Sequence, residues 1–129
     1  MNTPYQCLIV EDDDHLIAIY QWQLQRIGFE VIAVTDGGKA IEHLKQHTPQ
    51  ILLLDLRLPK VNGLEVLEFI RMSPDLEHLY IVVITAHMQF RLQEASQRAN
   101  EYLVKPIRPA DLEAVMLRAV QSFSRSDTA

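Results

Sequence analysis

The sequence predicts an α/β protein in which five β-α units form one doubly wound, five-stranded parallel sheet. Two observations lead to this fold class. Short apolar runs alternate along the chain with longer stretches in which apolar residues recur at helical spacing, as in proteins built from β-α units. The central apolar runs also lack polar alternation, which is expected of strands that helices cover on both faces.

The apolar runs themselves are the predicted strands. They are YQCLIV (residues 5 to 10), EVIAV (30 to 34), ILLLD (51 to 55), YIVVIT (80 to 85) and EYLV (101 to 104).

Helical periodicity predicts five helices, one after each strand. The apolar positions that share a face are Leu16, Tyr20, Leu24 and Ile27 in the first helix, Ala40, Ile41 and Leu44 in the second, Val66, Leu67 and Ile70 in the third, and Leu112, Val115, Met116, Ala119, Val120 and Phe123 in the fifth. The fourth helix, predicted for residues 90 to 99, has a weak pattern.

Capping residues predict where the helices begin and end. Asp13 or Asp14, Asp36 and Asn62 are expected at the starts of the first three helices, and Gly28 at the end of the first. Proline is also well suited to the first turn of a helix, and residue 109 provides one for the last.

The 129 residues fit a single domain, residues 1 to 129, with a core from about 5 to 123 and a polar tail, SRSDTA, at 124 to 129. The composition, 48% hydrophobic and 22% charged, is that of a globular protein. A net charge of -5 with scattered basic residues argues against direct nucleic-acid binding. The apolar runs are too short to span a membrane, and the single cysteine, Cys7, fits a buried position in a reducing compartment. We therefore expect a cytoplasmic protein that binds neither nucleic acid nor membrane.

Polar side chains gather where the predicted strands end. Glu11 and Asp12 follow the first strand, Asp55 ends the third, Thr85 ends the fourth, and Lys105 follows the fifth. Parallel strands present their carboxyl ends at one edge of the sheet, where such sheets bind ligands. Three carboxylates about 5 Å apart repel by about 3 kcal/mol per pair at an effective dielectric of about 20. The cluster is therefore expected to hold Mg²⁺, and the hydroxyl and ammonium groups suit a phosphoryl group.

Four segments of the sequence resemble the receiver domain of bacterial two-component response regulators. They are VEDD at 10 to 13, LLLDLRLPKVNG at 52 to 63, VVITA at 82 to 86 and YLVKP at 102 to 106. The resemblance implies a chemotaxis-regulator-like fold with the flavodoxin-like strand order 2-1-3-4-5. It also implies that the chain accepts a phosphoryl group from the phosphohistidine of a sensor histidine kinase or a histidine phosphotransfer protein.

The resemblance further implies which residues hold the phosphoryl group and the metal. Asp55 would be the phosphoacceptor and would form an acyl phosphate. Asp12 would bind Mg²⁺ directly, Glu11 largely through water, and Arg57 through its backbone carbonyl.

The resemblance also implies a switch that phosphorylation operates. Thr85 and Lys105 would bind phosphoryl oxygens, Tyr102 would turn inward as Thr85 moves, and the bond from Lys105 to Pro106 would be cis. The surface made by the fourth helix, the fifth strand and the fifth helix would then bind a downstream protein or a second copy of the chain.

Four residues near this pattern invite separate interpretation. Arg57 and His87, each two residues beyond a site residue, could shield an acyl phosphate from water, or His87 could orient that water. Asn62 and Arg98 stand where many members of the family have Asp and Gly, and neither is expected to touch the chemistry.

Other histidine and aromatic residues have plainer explanations. His43 and His47 have the spacing of a helical metal pair, but no motif supplies a third ligand, so an exposed helix face is favoured. Tyr20 and Trp22 are expected to be packing or surface residues. Phe90 could belong to the core or to the partner-binding face.

Three other functions compete with a signalling phosphoacceptor. A phosphohydrolase that forms an aspartyl phosphate usually needs a second Asp two residues after the nucleophile, and Arg57 occupies that position. A flavodoxin-like cofactor binder is disfavoured because the acids after the first strand would repel its phosphate. A phosphorylation-independent interaction module normally lacks some of the site residues. We therefore expect a protein that is not an enzyme beyond its own phosphoryl transfer and dephosphorylation.

Overall fold

A computed structural model describes residues 5 to 86 and 95 to 128, and it contains one five-stranded parallel sheet. The strands are β1 (Gln6–Val10), β2 (Glu30–Val34), β3 (Ile51–Asp55), β4 (Tyr80–Thr85) and β5 (Glu101–Val104). Their order across the sheet is β2-β1-β3-β4-β5, and every neighbouring pair is parallel. The predicted fold class and strand order are confirmed, and β1 begins at Gln6 instead of Tyr5.

The described residues contain four α-helices and two 3-10 turns. The helices are α1 (Asp14–Arg26), α2 (Gly37–Gln46), α3 (Gly63–Arg71) and α4 (Pro109–Thr128), and the turns are Pro74–Leu76 and Ala95–Arg98. Helix α4 is the one predicted as the fifth, and it continues past the expected end at Phe123. The following residues, SRSDT, contain neither glycine nor proline, so the sequence offers no stop signal there.

The predicted helix at residues 90 to 99 lies partly outside the described residues, and the described part is wrong as an α-helix. Ala95–Arg98 forms a 3-10 turn instead. The segment lacks the apolar stripe that stabilises a helix against a core, so packing provides little support for regular α-helical turns.

Side-chain caps set the starts of the first three helices, as predicted. Asp13 accepts two backbone N–H groups of α1 at 2.9 and 3.2 Å, Asp36 accepts one of α2 at 2.8 Å, and Asn62 accepts one of α3 at 3.0 Å. Gly28 follows α1 with a φ of 102°, a conformation that favours glycine over other residues. Each cap lies just beyond the carboxyl end of a strand, or in the loop that follows one.

Two apolar clusters, one on each face of the sheet, form the core. Alternate residues of β1 point to opposite faces, so Leu8 and Val10 pack with α2 and α3, whereas Cys7 and Ile9 pack with α1 and α4. All residues of β3 are buried, as expected of a central strand covered on both sides. None of the helices in the described parts of the chain has the length and hydropathy of a membrane-spanning segment.

Candidate functional site

The carboxyl ends of the strands form the floor of a cleft of about 750 Å³. Asp55 and Thr85 are the last residues of β3 and β4, and Glu11 and Lys105 follow β1 and β5 directly. Backbone pairing continues past the strand ends, because the N–H of Lys105 donates to the carbonyl of Thr85 at 2.9 Å and that of Glu11 donates to Val34 at 3.1 Å. The sheet itself therefore fixes the backbone that carries these side chains.

Three carboxylates lie together in this cleft, as the strand ends predict. Glu11, Asp12 and Asp55 each offer an oxygen, and these oxygens lie within 4.8 Å of one another. Glu11 and Asp55 are buried, with 1% and 4% of their surface exposed, whereas Asp12 is exposed. In the part of the chain that the structure describes, no other group of three or more acidic, histidine or cysteine side chains has this arrangement.

Lys105 joins the two buried carboxylates. Its Nζ donates to Oδ2 of Asp55 at 2.8 Å and to Oε1 of Glu11 at 3.1 Å. Burial lowers the pKa of Lys105, but the hydrogen bonds and charges of the two acids outweigh burial and raise it. The Lys105–Pro106 peptide bond is cis, as predicted. An ammonium group thus offsets part of the repulsion within the acidic cluster.

The crowded environment raises the pKa of Glu11. Burial and the charge of Asp55 raise its pKa to about 7, although Lys105 and the backbone N–H of Asp13 partly oppose the rise. Near neutral pH, Glu11 is therefore protonated in a fraction of the molecules. Three hard oxygen donors, one of them partly protonated, fit a hard divalent cation that would displace the proton.

Backbone contacts orient Asp55 and the loop after it. The N–H of Arg57 donates to Oδ1 of Asp55 at 2.9 Å, so both carboxylate oxygens have donors. The loop closes against the site where the N–H of Gly63 donates to the carbonyl of Leu56 at 3.0 Å. A Cβ at Gly63 would lie 2.5 Å from the Cα of Leu56, so this approach requires glycine.

Thr85 and Tyr102 occupy the two strands at the far side of the cleft. Thr85 is fully buried and pairs in register with Val104, while Tyr102 pairs with Val83. Tyr102 is partly buried against the apolar cluster that α2 and α3 cover. His87 and Phe90 lie outside the described residues.

Arg98 has a structural role that the sequence did not reveal. Its Nη2 lies 2.9, 3.1 and 3.0 Å from the carbonyl oxygens of Leu76, Glu77 and Leu79. The guanidinium thereby joins the turn before β5 to the connection before β4. The only sequence signal was a large basic residue where a small one is common.

The chain has relatives among proteins of known sequence. It matches the family described as response regulator receiver domain over residues 7 to 117. It is 33% identical over 108 residues to the phosphate regulon transcriptional regulatory protein PhoB of Rhizobium meliloti, covering 82% of this chain and 48% of PhoB. It is 28% identical over 109 residues to the polar-differentiation response regulator DivK of Brucella anthropi, covering 81% of this chain and 86% of DivK. The chain thus spans about half the length of PhoB.

Solved structures share the fold. A receiver domain (CheY-like) from Methylobacillus flagellatus matches with a TM-score of 0.81 and 27% identity, over 91% of this chain and 99% of that one. The receiver domain of a sensor histidine kinase from Pseudomonas aeruginosa, which has a magnesium ion coordinated in its active site cleft, matches with a TM-score of 0.81 and 27% identity, over 92% and 99%. The chain therefore belongs to the response regulator receiver domain family. Such domains act as phosphorylation-activated switches in two-component signalling.

Proposed function

We propose that this chain is one receiver domain, residues 1 to 129, that accepts a phosphoryl group on Asp55 from the phosphohistidine of a sensor histidine kinase or a histidine phosphotransfer protein. The observation that supports this proposal best is the position of Lys105. Its ammonium lies 2.8 Å from Asp55 and 3.1 Å from Glu11, in an open cleft that Asp12 also lines. A carboxylate so placed combines nucleophilic oxygens with a cation that can offset the charge of a phosphoryl group.

In the transfer, a carboxylate oxygen of Asp55 attacks phosphorus in line with the leaving imidazole. The new O–P bond forms as the N–P bond breaks, and the bonding pair stays on the imidazole nitrogen; because the other ring nitrogen already carries a proton, the imidazole leaves as a neutral base. The N–H of Arg57 holds Oδ1 of Asp55 in place at 2.9 Å. The ammonium of Lys105 offsets the charge that the phosphoryl oxygens bring into the cleft.

We further propose Mg²⁺ as the cofactor, held by the carboxylates of Asp12 and Asp55, by Glu11 largely through bound water, and by the backbone carbonyl of Arg57. The support is the hard oxygen donor set within 4.8 Å and the raised pKa of Glu11, whose proton a cation would displace. When bound, such an ion would neutralise charge on the carboxylates and the transferred phosphoryl oxygens.

Phosphorylation would change the part of the protein around strands β4 and β5. The hydroxyl of Thr85 would meet a phosphoryl oxygen, and Tyr102 would reorient against the cluster on its face of the sheet. The surface that includes Ala95–Arg98, β5 and α4 would then bind a downstream protein or a second copy of the chain. We propose a cytoplasmic setting, which suits the free, buried thiol of Cys7.

The test of the phosphoacceptor uses acetyl phosphate and Mg²⁺ with detection by intact mass. The wild-type protein should gain the mass of one phosphoryl group, and Asp55→Asn should gain none. Asp36→Asn is the matched control: Asp36 is also buried, with 6% exposed, and Asn retains its capping role. Labelling of Asp55→Asn to the wild-type level would overturn the assignment, whereas the control should label normally.

We propose that the chain catalyses only the phosphorylation and dephosphorylation of its own Asp55. A phosphohydrolase of the aspartyl-phosphate type needs an acid two residues after the nucleophile, and Arg57 stands there with an exposed side chain. Steady turnover of an external phosphate ester, lost in Asp55→Asn, would contradict this proposal.

A further inference from the structure

Two histidines face each other on helix α2 and at its C-terminal cap. The ring centres of His43 and His47 are 4.8 Å apart, and the ring planes are inclined by 29°. Both line a shallow depression of about 320 Å³ together with Glu42, Gln46 and the end of β2 at Val34. A carboxylate, an amide and the side chain of Lys39 therefore line the depression beside the two imidazoles.

The electrostatic surroundings favour a neutral imidazole at His43. Burial and the neighbouring His47 lower the pKa of His43, so its ring is a free base at neutral pH. Lys39 lies one helical turn earlier, but its Nζ is 3.4 Å from the hydroxyl of Thr35, to which it donates. A neutral imidazole is the form that binds transition metals.

We propose that His43 and His47 form a bidentate binding site for a borderline divalent transition-metal ion, with Zn²⁺ as its reference ligand. Two Zn–N bonds of about 2.0–2.1 Å at a tetrahedral angle place imidazole centres about 5 Å apart, close to the 4.8 Å observed. Rotation about the soft ring torsions brings one nitrogen of each ring toward a shared ion. Water would complete the coordination.

The site is separate from the acidic cluster in position and in chemistry. Neither His43 nor His47 lines the acidic cleft, and the depression that they line shares no residue with that cleft. Imidazole nitrogens select Zn²⁺ and its neighbours, whereas carboxylate oxygens suit Mg²⁺. The inference is therefore independent of phosphorylation at Asp55.

Binding is tested by titrating the purified chain with Zn²⁺ in excess Mg²⁺, which occupies the acidic cluster. Imidazole nitrogen resonances observed by NMR should show His43 and His47 shifting together to a stoichiometric end point. By calorimetry, His43→Ala and His47→Ala should each weaken Zn²⁺ binding by about tenfold or more, because each removes one of two protein ligands. His78→Ala is the matched control, since His78 is an exposed histidine beside an acid, Glu77, and should bind as wild type.

The opposite results are equally clear. Unchanged Zn²⁺ affinity in a His43→Ala, His47→Ala double variant would overturn the proposal. So would a loss of Zn²⁺ binding in Asp12→Asn with both imidazole resonances unmoved, because the ion would then occupy the acidic cluster. His47 is exposed, so the single variant His47→Ala should retain the wild-type circular dichroism spectrum and remains decisive if changes at His43 disturb packing.

Discussion

The raised pKa of Glu11 predicts how the stability of the metal-free protein depends on pH. The folded protein binds this proton with a pKa of about 7, against an ordinary value of 4.5 for the unfolded chain. Stability from the bound proton is therefore fully present below pH 4.5 and is lost as pH rises through about 7. At about 1.4 kcal/mol per pH unit, the loss amounts to about 3 kcal/mol.

Glu11→Gln isolates this contribution because glutamine does not titrate. Urea unfolding is measured on both proteins with a chelator present, at intervals from pH 4 to pH 8. The free energy of unfolding of the variant relative to wild type should rise by about 3 kcal/mol across this range. Any fixed effect of the substitution on packing or on the contact to Lys105 shifts the whole curve without changing this slope.

Two controls separate the buried carboxyl from general acid effects. Glu65→Gln makes the same change at an exposed position in the first turn of α3, and its difference from wild type should stay small. Mg²⁺ added at pH 8 should raise the stability of wild type more than that of Glu11→Gln, because it replaces the lost proton as the source of positive charge. A Glu11→Gln difference that does not change with pH would refute the reasoning.

Three further changes test single contacts. Lys105→Met should slow labelling by acetyl phosphate and lower metal-free stability by about 3 kcal/mol, because two buried carboxylates lose their shared cation. Lys39→Met is the control. Equal behaviour of the two variants would count against a role for Lys105. Thr85→Ala should still be labelled on Asp55 but should lose the phosphorylation-dependent change in NMR signals around Tyr102. Thr85→Ser should retain this change. A full NMR response in Thr85→Ala would show that Thr85 takes no part in the switch. Arg98→Ala should lower the free energy of urea unfolding by about 2 kcal/mol, since three carbonyls lose a charged donor. A decrease in this free energy of less than about 0.5 kcal/mol would show that water replaces the guanidinium.

The strands of the sheet were predictable from the sequence because a strand that is buried on both faces consists almost entirely of apolar residues. Strands such as β3 are apolar at nearly every position and are bounded by polar residues, so periodicity and length locate them. Asp36 and Asn62 were predictable as caps because their side chains replace backbone partners within a few residues. The strand order rested on resemblance to a family, since the apolar pattern alone does not distinguish one parallel order from another.

Contacts between distant parts of the chain were beyond the sequence pattern. The bond from Lys105 to Glu11 joins residues 94 positions apart, and the contacts of Arg98 depend on how two connections pack. Helix α4 extends beyond Phe123 because no glycine or proline follows to stop it, and the polar composition of residues 124 to 129 alone was a poor guide to its end. The sequence pattern therefore identified the residues of the site more readily than the contacts between their side chains.

The acidic run at 11 to 14 shows how one stretch of like charge divides into separate roles. Glu11 is buried against Lys105, Asp12 stays exposed in the cleft, and Asp13 caps α1. Because one ammonium serves both Glu11 and Asp55, a phosphoryl group on Asp55 would compete with Glu11 for it. The longer contact, 3.1 Å to Glu11 against 2.8 Å to Asp55, is the one that such competition would weaken first. The cluster would then need a second cation to keep Glu11 ionised, which links the proposed metal to the phosphorylated state.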